Sequence, residues 1–315
     1  MSAAGDPGAG ARPRVGYLGP AGTFTEEALL ASARPGAVEP VPEASIYDTV
    51  VAVSSGEVRW GVAPIENSLD GSVTVTLDLL AADGANVEIV GEVLLAVRHA
   101  LIAAAPVAVA EIDTVVSHPQ VPGQCTRLLR GELARAQVLA ASSTAEAVRR
   151  VVAEHRPGWA ALGTRLAAEL YGATVVRDGV QDRDDNVTRF VWLARAGEAA
   201  AEGSPLRAGT GIESPPTQWK TSVVFWGAGA ERPGWLVRCL DEFARRGINL
   251  TKIESRPRRE RLGHYMFFAD LQGRAEDPEV AQALVGLRAV CEEARVLGSY
   301  PAAAPVPEPP PHAAG

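Results

Sequence analysis

An α/β sheet with helices on both faces, followed by a smaller βαββαβ unit, is the fold that this 315-residue chain predicts. Three observations carry it. Across residues 14–196, short apolar or β-branched runs alternate with helical segments. Over 219–300 a second alternation runs β-α-β-β-α-β, the ferredoxin-like split pattern. Between them, 197–218 is rich in Ala, Gly, Ser and Pro, a linker composition. The tails, 1–13 and 301–315, are Ala/Pro/Gly-rich and expected to be disordered.

Taken in order, Val15–Leu18 reads as a first strand, turned by Gly19-Pro20-Ala21-Gly22. Thr23 to Glu26 matches a capping box that opens a helix through Leu30, and Ser45 to Asp48 and Ser143 to Glu146 repeat the pattern. Trp60–Pro64 reads as a strand, followed by a polar loop, Ile65-Glu66-Asn67-Ser68. Gly71 and Ser72 lead into a helix through Ala82, and Val87–Ala103 is strand-like throughout. Thr114–Ser117 is another short strand; Gly123–Leu133, Glu146–Glu154 and Arg165–Leu170 read as helices. Asp185 to Arg189 form a polar cluster just before the apolar run Phe190–Leu193, a buried strand. In the smaller unit, strands are expected at 222–226, 248–254, 264–271 and 295–297, with helices at 234–246 and 278–290.

Composition narrows the function classes. A net charge of −8 argues against nucleic acid as the main partner, because such proteins carry basic faces. The three cysteines, Cys125, Cys239 and Cys291, are scattered, and no Cys/His cluster suggests zinc or a disulfide framework. A reducing cytoplasm fits this usage. The N-terminus lacks the apolar core of a signal peptide. No membrane span is expected, since Arg98, His99 and Pro106 break the longest apolar stretch, 93–110. No Gly-x-Gly-x-x-Gly follows the first strand, which argues against a dinucleotide enzyme.

In open α/β sheets, ligands bind beyond the carboxyl ends of the strands. Polar clusters fall there repeatedly: Gly19–Thr23, Glu66-Asn67-Ser68, and Ser117-His118-Pro119-Gln120 leading to Gln124. Together with Asp185–Arg189 they describe a pocket for a small polar anion. His99, in an apolar run, reads as a hydrogen-bonded core histidine, and Cys125 as a packing residue.

The same clusters resemble the signatures of the prephenate dehydratases. Gly16–Phe24, Pro64–Ser68, Ser117–Gln120 with Gln124-Cys125, and Asn186–Phe190 follow the family's order across nearly all of 14–196. The smaller unit resembles the family's ACT regulatory module, with Glu254-Ser255-Arg256-Pro257 matching its effector motif. The resemblance implies a catalytic part of two lobes with periplasmic-binding-protein-like topology, lobe 1 about 14–95 plus 178–196 and lobe 2 about 96–177. It implies decarboxylating dehydration of prephenate to phenylpyruvate, carbon dioxide and water, without cofactor or metal, in phenylalanine biosynthesis. Thr188 would assist the leaving hydroxyl. Thr23, Glu66, Asn67, Ser117, Gln124 and Arg189 would bind or orient the substrate, with an Arg189–Asp185 ion pair as the competing reading. Phenylalanine would bind at Gly234, Trp235, Leu236, Glu254, Ser255 and Arg256, at an interface between two modules, so the chain is expected to self-associate to a dimer or tetramer. Trp235 stands where the family commonly has Ala, from which an altered phenylalanine response is expected. Two alternatives stay open: arogenate as the substrate, and a non-catalytic sensor of a small carboxylate on the same lobes.

Overall fold

The structure, a computed structural model, describes residues 12–198, 218–227, 232–259 and 262–305. Residues 1–11 and 306–315 of the expected tails, and 199–217 of the expected linker, lie outside them. Residues 301–305 do not behave as a tail: Pro301 ends a strand, and the Ala303 N–H donates to Glu92 Oε1 at 2.9 Å.

Lobe 1 is built on one sheet, with strand order β2-β1-β3-β11-β5. Its strands are β1 (Arg14–Leu18), β2 (Glu39–Glu43), β3 (Trp60–Asn67), β5 (Val87–Ala96) and β11 (Val187–Arg195), with β4 (Gly71–Ser72) paired to β3. Lobe 2 uses β10-β6-β9-β7-β8, comprising β6 (Ala100–Ala103), β7 (Thr114–Ser117), β8 (Gln137–Ala140), β9 (Trp159–Gly163) and β10 (Thr174–Arg177). Both sheets follow one plan. Three parallel strands run second-first-third, then a strand arriving from the other lobe pairs antiparallel, and a fourth closes the edge. The visiting strand is β11 in lobe 1 and β6 in lobe 2. This is the periplasmic-binding-protein-like topology.

The two crossings between lobes lie side by side. The Val97 N–H donates to Asn186 O at 2.8 Å, and the Val180 N–H to His99 O at 2.9 Å. Here the structure departs from the sequence expectation of one strand over Val87–Ala103: residues 97–99 leave one sheet and enter the other. Apolar continuity hid the break, because both halves are buried. β3 likewise runs three residues beyond Pro64, so Glu66 and Asn67 are strand residues and not a loop. The helix expected over Gly123–Leu133 is a 3-10 turn, Val121–Gln124, followed by the short α4 (Thr126–Arg130).

The helices start where their capping residues place them. Thr23 caps α1 (Phe24–Ser32), Ser45 caps α2 (Ile46–Ser55) and Ser143 caps α5 (Thr144–Glu154), each side chain accepting from the backbone N–H three residues on. α3 (Thr74–Ala81) lacks such a cap, and α6 (Arg165–Leu170) is capped by Thr164.

The C-terminal unit is the βαββαβ fold. Its sheet runs β13-β14-β12-β15, from β12 (Trp219–Trp226), β13 (Leu250–Pro257), β14 (Tyr265–Gln272) and β15 (Glu293–Pro301). α7 (Trp235–Ala244) and α8 (Pro278–Val290) cover one face, burying Val223, Phe225, Phe243, Leu271 and Leu287. The other face lies on the lobe 1 sheet. Val224, Phe268, Leu297 and Tyr300 pack with Leu77, Ile89, Val191 and Leu193 in one continuous core. Sheet-on-sheet packing therefore joins the two parts, and no linker geometry is needed to explain their contact.

Candidate active site

β11 and β3 are antiparallel neighbours with Thr188 opposite Asn67 and Arg189 opposite Glu66. Side chains alternate faces along a strand. Thr188 and Asn67 therefore share the face that carries α1, while Arg189 and Glu66 share the face covered by the C-terminal unit.

Asn67 is fully used. Its Oδ1 accepts from the Leu69 and Asp70 N–H groups, both at 2.9 Å. Its Nδ2 donates to Thr188 Oγ1 and to Asn186 Oδ1, both at 2.8 Å. Because Oδ1 is committed to two backbone donors, the amide has one orientation. Thr188 Oγ1 thus accepts a hydrogen bond, and its own proton remains for an acceptor outside the strand pair. A hydrogen bond received at oxygen polarises the O–H beyond it.

The next groups continue the chain. Asn186 Nδ2 donates to Gln124 Oε1 at 3.1 Å, His99 Nε2 lies 2.9 Å from the same oxygen, and Gln124 Nε2 donates to Asp70 Oδ2 at 3.3 Å. Gln124 belongs to lobe 2, Asn67 and Thr188 to lobe 1, and His99 to the crossing between them. The network therefore ties the lobes together at the carboxyl ends of their strands. Burial holds the His99 pKa below the usual histidine value, with the Gln124 contact opposing in part.

Ser117 closes β7, is buried, and donates to the neighbouring His118 carbonyl at 3.2 Å. Thr23 is committed at both ends: its hydroxyl donates to Leu18 O at 2.9 Å and accepts from the Glu26 N–H at 3.4 Å. What that loop can still offer is backbone. It is held against lobe 2, where Thr164 donates to Gly22 O at 2.6 Å and Tyr171 to Ala21 O at 2.7 Å. Gly22 has φ +90°, and a Cβ there would lie 2.8 Å from that of Ala167. Burial, reinforced by Asp182, pushes the Cys125 thiol up to about 12, so this helix-start cysteine is no nucleophile.

Arg189 and Glu66 are not brought to the Thr188 hydroxyl. The Arg189 guanidinium donates to Glu92 Oε2 and Asp270 Oδ2, both at 2.6 Å, and to Tyr300 OH at 2.7 Å. Asp185 does not pair with it; Asp185 is bidentate to Arg183. Burial disfavours the Arg189 charge, but Tyr300, Asp270 and Glu92 outweigh it and raise its pKa. Asp270 is held below the usual carboxylate range: burial would raise it, and Arg189, Ser222 and Lys220 prevail. Glu66 meets Arg189 at 3.5 Å and Lys252 at 3.2 Å. The expected effector strand shares this junction: Glu254 contacts Ser72 and Lys252, and Arg256 grips Asp78 at 2.9 Å.

Of the effector residues, Gly234, Trp235 and Leu236 line a cleft of about 490 Å3 with Tyr265 and Phe267. Ser255 lies opposite Phe267 in the β-ladder and shares its face. Glu254 and Arg256 point the other way, into the junction with lobe 1. Trp235 is only 3% exposed: its indole packs on Phe225 and Phe267 and donates to Val290 O at 3.0 Å. Its bulk fills the core beneath the cleft.

Asn186, His99 and Asp70 complete the network and were not among the residues selected from sequence. Asn186 sits within the polar cluster before β11, and that position was its available signal; His99, in an apolar run, is the hydrogen-bonded core histidine expected there, now seen to bond Gln124; Asp70 gave no signal beyond its type.

The family models and the curated relatives agree on one family. The family model for prephenate dehydratase matches residues 15–198, and that for the ACT domain matches 229–289. A prephenate dehydratase of Mycobacterium sp. (strain KMS) is 39% identical over 309 residues, covering 95% of this chain and 92% of that protein. Among solved structures, the prephenate dehydratase of Arthrobacter aurescens in complex with L-Phe superposes with a TM-score of 0.78 at 36% identity, covering 91% of this chain and 89% of that one. GqqA, described as a novel type of quorum quenching acylase, gives 0.78 at 28% identity, covering 92% and 98%.

Proposed function

The chain belongs to the prephenate dehydratase family, and from that premise we propose that Thr188 assists hydroxide departure while prephenate becomes phenylpyruvate, carbon dioxide and water. The protein is a carbon–oxygen lyase with a C-terminal ACT domain. The observation that carries the proposal is the Asn67 Nδ2 contact to Thr188 Oγ1 at 2.8 Å. It leaves the threonine proton directed to an outside acceptor.

In the proposed step the ring carboxylate leaves as carbon dioxide. Its C–C electron pair enters the ring, and the C–O bond breaks as the ring becomes aromatic. The departing oxygen leaves as water by taking a proton through the Thr188 hydroxyl, and solvent returns that proton to Thr188 before the next turnover. Positioned proton donation contributes typically about 10²–10⁴-fold. Gln124 and Ser117 orient the substrate, Asn67 holds Thr188 in place for it, and the backbone after Gly22 supplies donors near the start of α1. Glu66 and Arg189 support the site from behind, through the strands that carry Asn67 and Thr188.

Phenylalanine is the proposed effector, seated in the cleft of Gly234–Leu236 beside Ser255. A relative solved with L-Phe supports the choice of ligand. β13 is an edge strand whose exposed face carries Ile253, 48% exposed, so a second copy pairing there is the proposed mode of self-association. A reducing cytoplasm is the proposed compartment.

The test is phenylpyruvate formation from prephenate by purified protein, with and without phenylalanine. Thr188→Ala should bind substrate with little change and lose at least about 100-fold in kcat. Turnover of arogenate in place of prephenate would reassign the substrate. Wild-type turnover in Thr188→Ala would remove that residue from the mechanism.

A further inference from the structure

We infer that His99 is a positioning residue that anchors the Gln124 amide, the lobe 2 end of the hydrogen-bond network that reaches Thr188. The inference rests on the proposed role of Thr188 and goes beyond it.

The direction of these hydrogen bonds follows from donors and acceptors alone. Asn67 Oδ1 accepts two backbone N–H groups, so Nδ2 faces Asn186 and Thr188. Asn186 must then present Oδ1 to Asn67 and Nδ2 to Gln124. Gln124 must answer with Oε1, which can only accept. His99 Nε2, 2.9 Å from that oxygen, is therefore the protonated ring nitrogen. His99 is 1% exposed, and its other nitrogen, Nδ1, is buried without a hydrogen-bond partner. Among the described residues, the contact to Gln124 is thus the one hydrogen bond to this ring.

Besides Asn186, two groups hold the Gln124 amide in this orientation. Asp70 accepts from Nε2, but at 3.3 Å and on the exposed side. His99 donates at 2.9 Å from the buried side. Were the amide to turn, its NH2 would meet the Asn186 NH2, donor against donor. The contact between Asn186 and Gln124 that joins the lobes would be lost. His99 also stands edge-on to Phe24, with ring centroids 5.3 Å apart, so it touches the first residue of α1 as well.

The experiment compares His99→Gln with His99→Asn. Glutamine carries its amide nitrogen where Nε2 lies; asparagine carries its own nearer Nδ1. Both are polar and neutral, so a merely structural role would treat them alike. The expected result is that His99→Gln keeps most of kcat on prephenate, while His99→Asn and His99→Leu lose about ten-fold or more, with KM changed by less than about two-fold. In a Gln124→Leu background the His99→Leu loss should vanish, because residues acting through one contact are not additive. Equal kcat for the Gln and Asn variants overturns the inference, as do His99 and Gln124 losses that multiply. Thr188→Ala assayed alongside separates the two claims: full turnover there overturns the role of Thr188, whatever the His99 variants do.

Discussion

Thr188 and Arg189 are one peptide unit apart, and the strand turns them to opposite duties. Thr188 faces the network of Asn67 and Gln124; Arg189 faces away, where Asp270 and Tyr300 of the regulatory sheet hold it with Glu92 of β5. Removing one partner from a buried charge cluster costs about 3–5 kcal/mol, because the remaining charge stays buried. Asp270→Asn should lose stability of that order in denaturant unfolding at pH 7, since Arg189 and Lys220 would then share Glu92, with Glu66 reaching Arg189 only at 3.5 Å. The wild-type contribution has a defined pH window. The folded Asp270 carboxyl titrates below its ordinary value of 3.8, so its stabilisation is complete above that value and fades as pH falls through the folded one. The difference between wild type and Asp270→Asn should therefore be flat from pH 7 to about 5 and narrow only in stronger acid. A gap that closes near neutrality would point to another group. The sequence motif selected Thr188, Asn67 and Gln124 together, because their residue types and spacing survive without knowledge of register. It could not separate Arg189 from Thr188: an arginine beside a threonine looks like a carboxylate ligand until the strand is known to begin at Val187.

Among the elements, those with chemical punctuation were the legible ones. The caps Thr23, Ser45 and Ser143 fall where the S/T-x-x-[DE] pattern puts them, and α6 and α8 match the expected ranges. Strands with weak signals were not seen. β2 carries Pro40 and Pro42, which suit an edge strand yet read as a breaker; β8 is another edge, half exposed. β9 and β10 were passed over, since short apolar runs do not distinguish strand from helix. The loop before α1 shows how one backbone position governs an element. Gly22 combines φ +90° with the close approach to Ala167, so Gly22→Ala must either strain the turn or push the loop off α6. Expected are a loss of about 1 kcal/mol or more in stability and a larger loss in kcat. A crystal structure should show a wider gap between Ala21 O and the Tyr171 hydroxyl. Full activity with an unchanged gap would mean that this contact does not shape the site.

At the scale of the whole molecule, the decisive feature is that catalytic and regulatory parts share a hydrophobic core. Contacts between domains of one chain are commonly modest and polar, and relative motion is then the default. Here Val224, Trp226, Phe268 and Leu297 bury against Ile65, Ile89, Val191 and Leu193, and the Arg189 cluster lies in the same layer. The linker composition at 197–218 suggested two separable bodies, because a sequence reveals a linker more readily than the faces on either side of it. Two parts joined by one core should unfold as one. Calorimetry at pH 7 should give a single transition whose van't Hoff and calorimetric enthalpies agree. Phenylalanine sharpens the test. An effector at about 100 times its Kd stabilises what it binds by about 2.7 kcal/mol. If the parts are one cooperative unit, that increment moves the entire transition, and amides of β3 and β11 gain protection from hydrogen exchange together with those of α7. If they are separate, a second transition stays where it was, and the strands carrying Asn67 and Thr188 exchange as before. Asp270→Asn should shift the behaviour from the first pattern toward the second, because the junction loses the charge that balances Arg189 while the helical face of the regulatory sheet keeps its own core.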